Sequence, residues 1–419
     1  MGSTMDLPHW RLITFAFLVN VFGTIPLGYH SSIINIPSAV LEGFFNRSFS
    51  RQFESNGTYL SNSLELFSIW SFACSVLQIG ILLGTLSVAY ISERYGRRVT
   101  MFLISGTTML VGNVLAVVSF LFDVFEIFIL GRFVTGLAIG VSTVLIVYLS
   151  EASPSRFRGA IGAVQGLMAS FGGLIGTAAS FPQLLGNEKR LVVLFGGLTL
   201  LTAVAQLAMY FVFPESPKYL YFSSAAYPQN ASRCLDSLTF YHGRGVAFGT
   251  ILEEYEQERA MTKSKMCARE ILADKNLRWP IVLACLVNFC AMDTGLIPIL
   301  SYTVDILTRS GSLSVAQINY ACLGIGSVSF VGAIIGIFLA RHFRRRPLLL
   351  SGLATFIIIN TAFPVVEYLG TLGNLPHGLR RIVGNLGVGL IAIELFIFST
   401  NIGSVFYYLG TELIPQVAK

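Results

Sequence analysis

Two arginine-rich turns carry the densest positive charge in a largely apolar chain. The first reads Ser92-Glu93-Arg94-Tyr95-Gly96-Arg97-Arg98 and the second Arg341-His342-Phe343-Arg344-Arg345-Arg346. Guanidinium groups are permanently charged forks that match carboxylates. The available carboxylates are Glu151, in Ser150-Glu151-Ala152-Ser153-Pro154, and Glu215, in Pro214-Glu215-Ser216-Pro217. Arg158 follows the first of these, and Glu412 is the obvious partner for Arg345 and Arg346. Gly96 permits a sharp turn in the first cluster; the second has neither acid nor glycine. Exposed ion pairs contribute only about 0–1 kcal/mol, whereas partly desolvated ones at helix ends hold more firmly. Glu93, Arg94, Arg97, Arg98, Glu151, Arg158, Glu215, Arg345, Arg346 and Glu412 therefore read as a releasable latch on one membrane face. The rival reading is fixed charge that only sets topology. Four further titratable groups, His30, Arg132, Asp293 and Glu394, fall inside apolar stretches. A charged group at bilayer depth costs about 2.5–3.5 kcal/mol on insertion scales, which makes each a functional candidate.

The elements that position these groups are membrane helices. Of 419 residues, 54% are apolar and only 12% charged, where soluble domains carry about 25% charged residues. Mean hydropathy is +0.70. A span needs about 20 apolar residues, and ten stretches qualify: 12–36, 66–91, 100–122, 125–149, 159–181, 191–213, 279–307, 315–340, 347–368 and 382–409. The first is read as a span rather than a cleaved signal, because no small-residue cleavage site follows it. Gly23, Pro26 and Gly28 interrupt the first stretch and Gly295 and Pro298 the seventh. Broken membrane helices are tolerated where they line protein or water, so these breaks mark either a substrate path or close packing.

Placing the turn after the second span in the cytoplasm puts most Lys and Arg on that side. The N-terminus and the polar segment 214–278 are then cytoplasmic, and the loop between the first two spans is outside. That loop holds sequons at Asn46 and Asn56, expected to carry glycans. The segment 214–278 divides the spans into an N-terminal six-helix half, 1–213, and a four-helix C-terminal part, 279–419. Its run 251–259 has the pattern of a short surface helix. The net charge of +6 is scattered over turns, which excludes a nucleic-acid surface. No Cys pair has disulfide or metal spacing. No phosphate-binding loop or nucleophile elbow is present. No enzyme activity, cofactor, metal or ATP use is expected.

Several segments resemble the sugar porter branch of the major facilitator superfamily, and most of all the animal facilitative glucose transporters. The segments are 28–37 (GYHSSIINIP), 131–136 (GRFVTG), 148–154 (YLSEASP), 158–160 (RGA), 214–220 (PESPKYL) and 411–416 (TELIPQ). They cover the chain almost end to end and occur in family order. Glu151-Ala152-Ser153-Pro154 is echoed by Glu412-Leu413-Ile414-Pro415, as in a two-half repeat. The resemblance implies an all-α fold, alternating access, and a sugar bound between the halves. It implies twelve spans, whereas this sequence ends just after the tenth.

The resemblance also predicts where a sugar should be gripped, and the sequence departs there. Ala291, Met292 and Ile297 stand where the family's seventh helix carries a glutamine pair and an asparagine. Gly166 replaces a fifth-helix glutamine, with Gln165 beside it. Ser329 replaces an asparagine and Tyr407 a tryptophan. The candidate substrate residues are therefore Gln165, Asp293, Tyr302, Ser329, Tyr407 and His30. His30 lies where symporters carry an aspartate and facilitative members an asparagine. In this fold it should lie near Arg132 and act as a hydrogen-bonding group rather than a proton carrier. The expected function is uniport of a hexose or related polyol across a membrane, and the resemblance implies the plasma membrane as its location. The alternatives are a transport-inactive sensor or truncated product, and a proton-coupled sugar symporter.

Overall fold

The computed structural model describes residues 9–54, 63–154, 158–224, 227, 229–243, 248–262, 275–292, 295–309, 313–343, 345–371 and 376–403. Asp293, Tyr407, Glu412 and Asn56 lie outside the described residues, as do the side chains of Arg158 and Arg345. The regular elements among the described residues are all helical. Among the described residues, eight helical stretches are long and apolar enough to cross a membrane, and three shorter apolar helices accompany them.

The first stretch is two helices, α1 (Trp10–Gly23) and α2 (Ile25–Ser32), broken at Thr24. Pro26 opens α2, where its missing N–H costs nothing. Helices α3 (Ser38–Glu54), α4 (Ser63–Tyr95), α5 (Ser105–Phe122), α6 (Phe125–Ser142), α7 (Val144–Ala152), α8 (Arg158–Ala179) and α9 (Leu198–Val212) follow. π-Helical turns at Val99–Ile104 and Val193–Gly197 lead into α5 and α9. Three short helices come next, α10 (Pro217–Ser223), α11 (Asn230–His242) and α12 (Gly249–Thr262). The remaining helices are α13 (Lys275–Met292), α14 (Leu296–Arg309), α15 (Val315–His342), α16 (Arg345–Thr371) and α17 (His377–Ile397), which runs into a π-helical turn at Phe398–Ile402.

The stretch 279–307 is two helices, interrupted at Gly295 as its Gly and Pro suggest, while one other expectation changes. Gly295 stands before α14 with φ of +77°, a left-handed conformation that glycine adopts without penalty. The region after the first span is not a plain loop, because α3 occupies it. Its Leu41, Phe44, Phe45 and Ser48 are buried at the spacing of one helical face. Phe45 meets Trp70 edge-on at 5.6 Å and Phe128 at 5.7 Å. Asn46 projects from the exposed side of α3, while Ser48 is buried and accepts a 3.0 Å hydrogen bond from the Phe125 N–H.

A second aromatic cluster joins Phe15, Phe102, Tyr148, Phe213 and Tyr241, so α11 is packed onto the ends of the membrane helices. A third cluster joins Ile36 and Phe181 to Ile299, Leu307, Ile318 and Ile391. Large apolar side chains such as Leu86, Phe211 and Ile357 point outward. Lipid solvates these as well as a core does, so van der Waals fit and interhelical hydrogen bonds decide the packing.

Candidate functional site

A cavity of about 190 Å³ lies between α2, α8, α14, α15 and α17. Among the described residues no charged side chain lines it. Its polar lining includes Ser31, Ser32, Thr177 and Thr303. Each hydroxyl donates to the carbonyl four residues back on its own helix. The distances are 2.8 Å to Leu27, 3.0 Å to Gly28, 2.9 Å to Gly173 and 2.5 Å to Ile299. A hydroxyl has one donor and two lone pairs. With the donor used on the helix, the lone pairs remain for a ligand. Leu174, Ile325, Leu395 and Phe398 supply apolar wall.

Helices far apart in sequence touch beside the cavity. The Asn35 side-chain oxygen accepts a 3.1 Å bond from the Val304 N–H. The Phe181 and Tyr320 rings lie 5.6 Å apart. Phe171 and Phe330 meet at 5.3 Å.

Of the predicted substrate residues, Ser329 lines this cavity, and its hydroxyl pairs with that of Ser399 at 2.8 Å. Gln165 is buried, and the neighbouring Gly166 occupies the cavity wall instead. This follows from the 100° turn between adjacent helical residues. Tyr302 stands beside Ser71 of α4 rather than at the lining. His30 is buried on the side of α2 turned from the cavity. The sequence reading missed Ser31, Ser32, Asn35, Thr177, Thr303 and Ser399. Their signal was a run of small polar residues inside apolar helices, easily taken for packing.

Arg132 does reach His30, but through the main chain. Its Nη1 donates to the His30 carbonyl oxygen at 3.1 Å. Neither ring nitrogen of His30 has a hydrogen-bond partner among the described residues, nor does Arg132 Nε. The expected hydrogen-bonding role of the imidazole is therefore not realised in this conformation. The ring packs edge-on to Tyr29 at 5.7 Å.

The first basic turn forms a dense polar knot. Arg97 Nη2 donates to Glu151 Oε1 at 3.0 Å, and both side chains are largely buried. Ser216 Oγ donates to Glu151 Oε2 at 2.5 Å. Glu215 is held differently from expectation. Backbone N–H groups of Arg97, Arg98 and Ser216 donate to its Oε1 at 2.9, 3.0 and 2.9 Å. The first two stand at the N-terminal end of the helical segment entering α5, where the helix dipole favours an anion. Burial pushes the Glu215 carboxyl above the usual carboxylate range, opposed by these N–H groups and by the Arg97 charge. Arg98 donates to the Tyr210 carbonyl through Nε at 2.9 Å and lies 4.4 Å over the Tyr210 ring. Gly96 has φ of +90°, and a Cβ there would sit 2.4 Å from Glu215 Oε2. Tyr148 and Tyr241 both donate to the Pro214 carbonyl, tying α7 and α11 to the same knot.

Glu93 and Arg94 stay outside it. Both are exposed, and Arg94 bonds Tyr90 on its own helix at 2.9 Å. Arg346, at the start of α16, is also exposed. Among the described residues the polar knot is therefore built from 97, 98, 151, 215 and 216, all before α10.

Comparison with known proteins agrees with this architecture. Residues 16–419 match the family described as sugar (and other) transporter. The human solute carrier family 2, facilitated glucose transporter member 9, is 29% identical over 409 residues, 94% of this chain and 74% of that protein. The chicken (Gallus gallus) member 3 is 29% identical over 406 residues, 96% of this chain and 77% of that protein. Among solved structures, the proton:xylose symporter XylE bound to 6-bromo-6-deoxy-D-glucose superposes with a TM-score of 0.76 at 17% identity, covering 98% of this chain and 83% of that one. XylE from E. coli in a partially occluded inward-open conformation gives 0.74 at 18% identity, covering 97% and 89%. Together with the helical architecture, these matches establish that the chain belongs to the sugar (and other) transporter family, as a multi-pass membrane transporter of the all-α major facilitator fold rather than an enzyme.

Proposed function

We propose that this chain is a uniporter of a hexose or related polyol, working by alternating access without ATP. One observation carries the reading: a cavity with no charged lining among the described residues, whose Ser and Thr hydroxyls donate to their own helices and leave lone pairs free. Such a wall suits a neutral ligand rich in O–H donors, and the apolar side chains suit the C–H face of a sugar ring. The facilitated glucose transporter names of the relatives point the same way.

In this reading the six-helix half, 1–213, rocks against 279–419, and 214–278 joins them. The Asn35–Val304 and Phe181–Tyr320 contacts, which join the two halves, would part as the halves rock. The knot of Arg97, Arg98, Glu151 and Glu215 stands on the cytoplasmic face, and Arg158, Arg345, Arg346 and Glu412 complete that face's charge. The plasma membrane is the proposed location, with glycans at Asn46 and Asn56 outside.

The test is uptake of labelled glucose, fructose and inositol into liposomes holding the purified chain, with and without a pH gradient. Saturable entry without a gradient is expected. No entry of any of the three by folded protein sinks the proposal. Entry only with a gradient replaces uniport by proton symport.

A further inference from the structure

Helix α17 carries a carboxylate with no access to water. Glu394 is 0% exposed, and neither of its oxygens has a hydrogen-bond partner in ordinary geometry among the described residues. The Asn360 side chain of α16 lies beside it. Helices α16 and α17 pair in a fixed antiparallel register. Seven residues along from Asn360, Glu367 faces Gly387, where a Cβ would come within 2.7 Å of Glu367 Oε1. The seam between the two helices thus holds two carboxyl groups about 10 Å apart along the axis.

Asn360 also marks the break between α13 and α14. A Cβ on Gly295 would lie 3.7 Å from Asn360 Oδ1. Glu394 therefore sits one side chain away from interrupted backbone. Interrupted membrane helices concentrate the polar backbone groups that ions and water use. The cavity is equally near in sequence, since Leu395, Phe398 and Ser399 line it. The helix that holds the buried carboxyl also walls the ligand space.

No charged partner balances Glu394 among the described contacts. From α16 the titratable group on the seam is Glu367. From α15 it is the buried thiol of Cys322, which shares a core cluster with Ile391 and Leu395. From α14, Thr303 donates to the Ile299 carbonyl, while Tyr302 and Asp305 lie toward Ser71 and Cys74 of α4. A buried carboxylate with a neutral amide but no cation beside it is a costly arrangement, and neutralisation is the usual way out. A hard metal cation would require about six oxygen ligands, and this site offers one carboxyl and one amide. A proton neutralises the group without further ligands.

We propose that Glu394 is a proton-binding site whose occupancy depends on conformation. The carboxyl is neutral in the arrangement described here. When α17 shifts relative to the α13–α14 break, cavity water reaches the group. The O–H bond then breaks, the proton passes to water and the electron pair stays on the carboxylate. Acid favours the buried seam and alkali favours the wetted one. The inference does not depend on which solute crosses, or on whether one does.

The test is infrared difference spectroscopy of the full chain in lipid vesicles during a pH titration, reading the C=O stretch of protonated carboxyl groups. At neutral pH a protonated-carboxyl band is expected, with a component lost in Glu394→Gln and retained in Glu367→Gln. Asn360→Ala keeps Glu394 and is expected to shift the frequency and titration of that component. If Glu394→Gln fails to fold, the Asn360→Ala shift decides. Absence of the band in the native chain, full retention in folded Glu394→Gln, or an unmoved band in Asn360→Ala overturns the proposal. Because no sugar is present, failure of the uptake assay leaves this result standing on its own.

Discussion

Charge is treated in two opposite ways in this molecule. At the 96–98 turn each charged group has a strong partner, although Arg97 Nε has none among the described residues: Arg97 is met by Glu151, Arg98 by a carbonyl and a ring, Glu215 by three backbone N–H groups. Within the helices, Arg132 leans on one carbonyl and Glu394 has only the neutral Asn360 amide beside it, with no cation. The difference separates charges that hold a shape from charges that wait for something. A satisfied cluster loses stability when any member is removed. An unanswered charge can gain stability on removal, because its desolvation cost disappears with it.

The largest expected effect comes from unbalancing the knot. Glu151→Ala leaves the Arg97 guanidinium buried without its carboxylate and strips Ser216 of its acceptor. A loss of about 3–5 kcal/mol is expected, as for one partner of a buried pair. Thermal unfolding in detergent, monitored by tryptophan fluorescence, measures it. A loss below that of an exposed pair would place the knot with ordinary surface charge. Gly96→Ala comes next. It imposes left-handed strain of about 1–2 kcal/mol and drives a methyl group into the Glu215 carboxylate. Its destabilisation should largely survive in the Glu151→Ala background, since the strain is local to the turn.

Arg132→Met then breaks the comparison from the other side. A side chain of similar reach removes a charge that has no acid partner among the described residues. Stability should stay within about 1 kcal/mol of the native chain or rise. The same change at Arg97 should destabilise clearly. Equal losses at both positions would mean that Arg132 is compensated after all and that the contrast is false.

Most of the fold was legible because lipid imposes a simple rule: long apolar stretches must be helices. The two breaks were legible as well, since Gly and Pro mark them at 23–28 and 295–298. Helix α3 was missed because Arg47, Arg51 and the sequon polarity masked the face made by Leu41, Phe44, Phe45 and Ser48. In the knot, Arg97–Glu151 was readable from residue types alone. The clasp on Glu215 was not, because its donors are backbone N–H groups that any residue supplies. Gly96 gave the only hint, and only as a turn. The cavity was the least legible region. Its lining is chosen by helix rotation, and a single step from Gln165 to Gly166 exchanges a long amide for open space. Ser31, Ser32, Thr177 and Thr303 look like packing until three-dimensional contacts bring their helices together.

The smallest expected effect concerns the pH response of the knot. Glu215 is raised by burial, with the N–H donors and Arg97 pulling the other way. A group raised above its unfolded value binds its proton more tightly in the folded chain. Its contribution to stability is fully present below the unfolded value and is lost as pH rises through the folded one. Mild acidification, from about pH 7 toward the ordinary carboxylate range, should therefore stabilise the knot through Glu215. Glu215→Gln cannot take up the proton, so the melting temperature of the native chain minus that of the variant should increase as pH falls over that interval. Measuring both proteins at each pH cancels the titration of other groups. A difference that narrows instead would mean that the N–H clasp outweighs burial. Glu215 would then be held as a permanent anion, and the knot would become the pH-insensitive counterpart to the intramembrane carboxyl at Glu394.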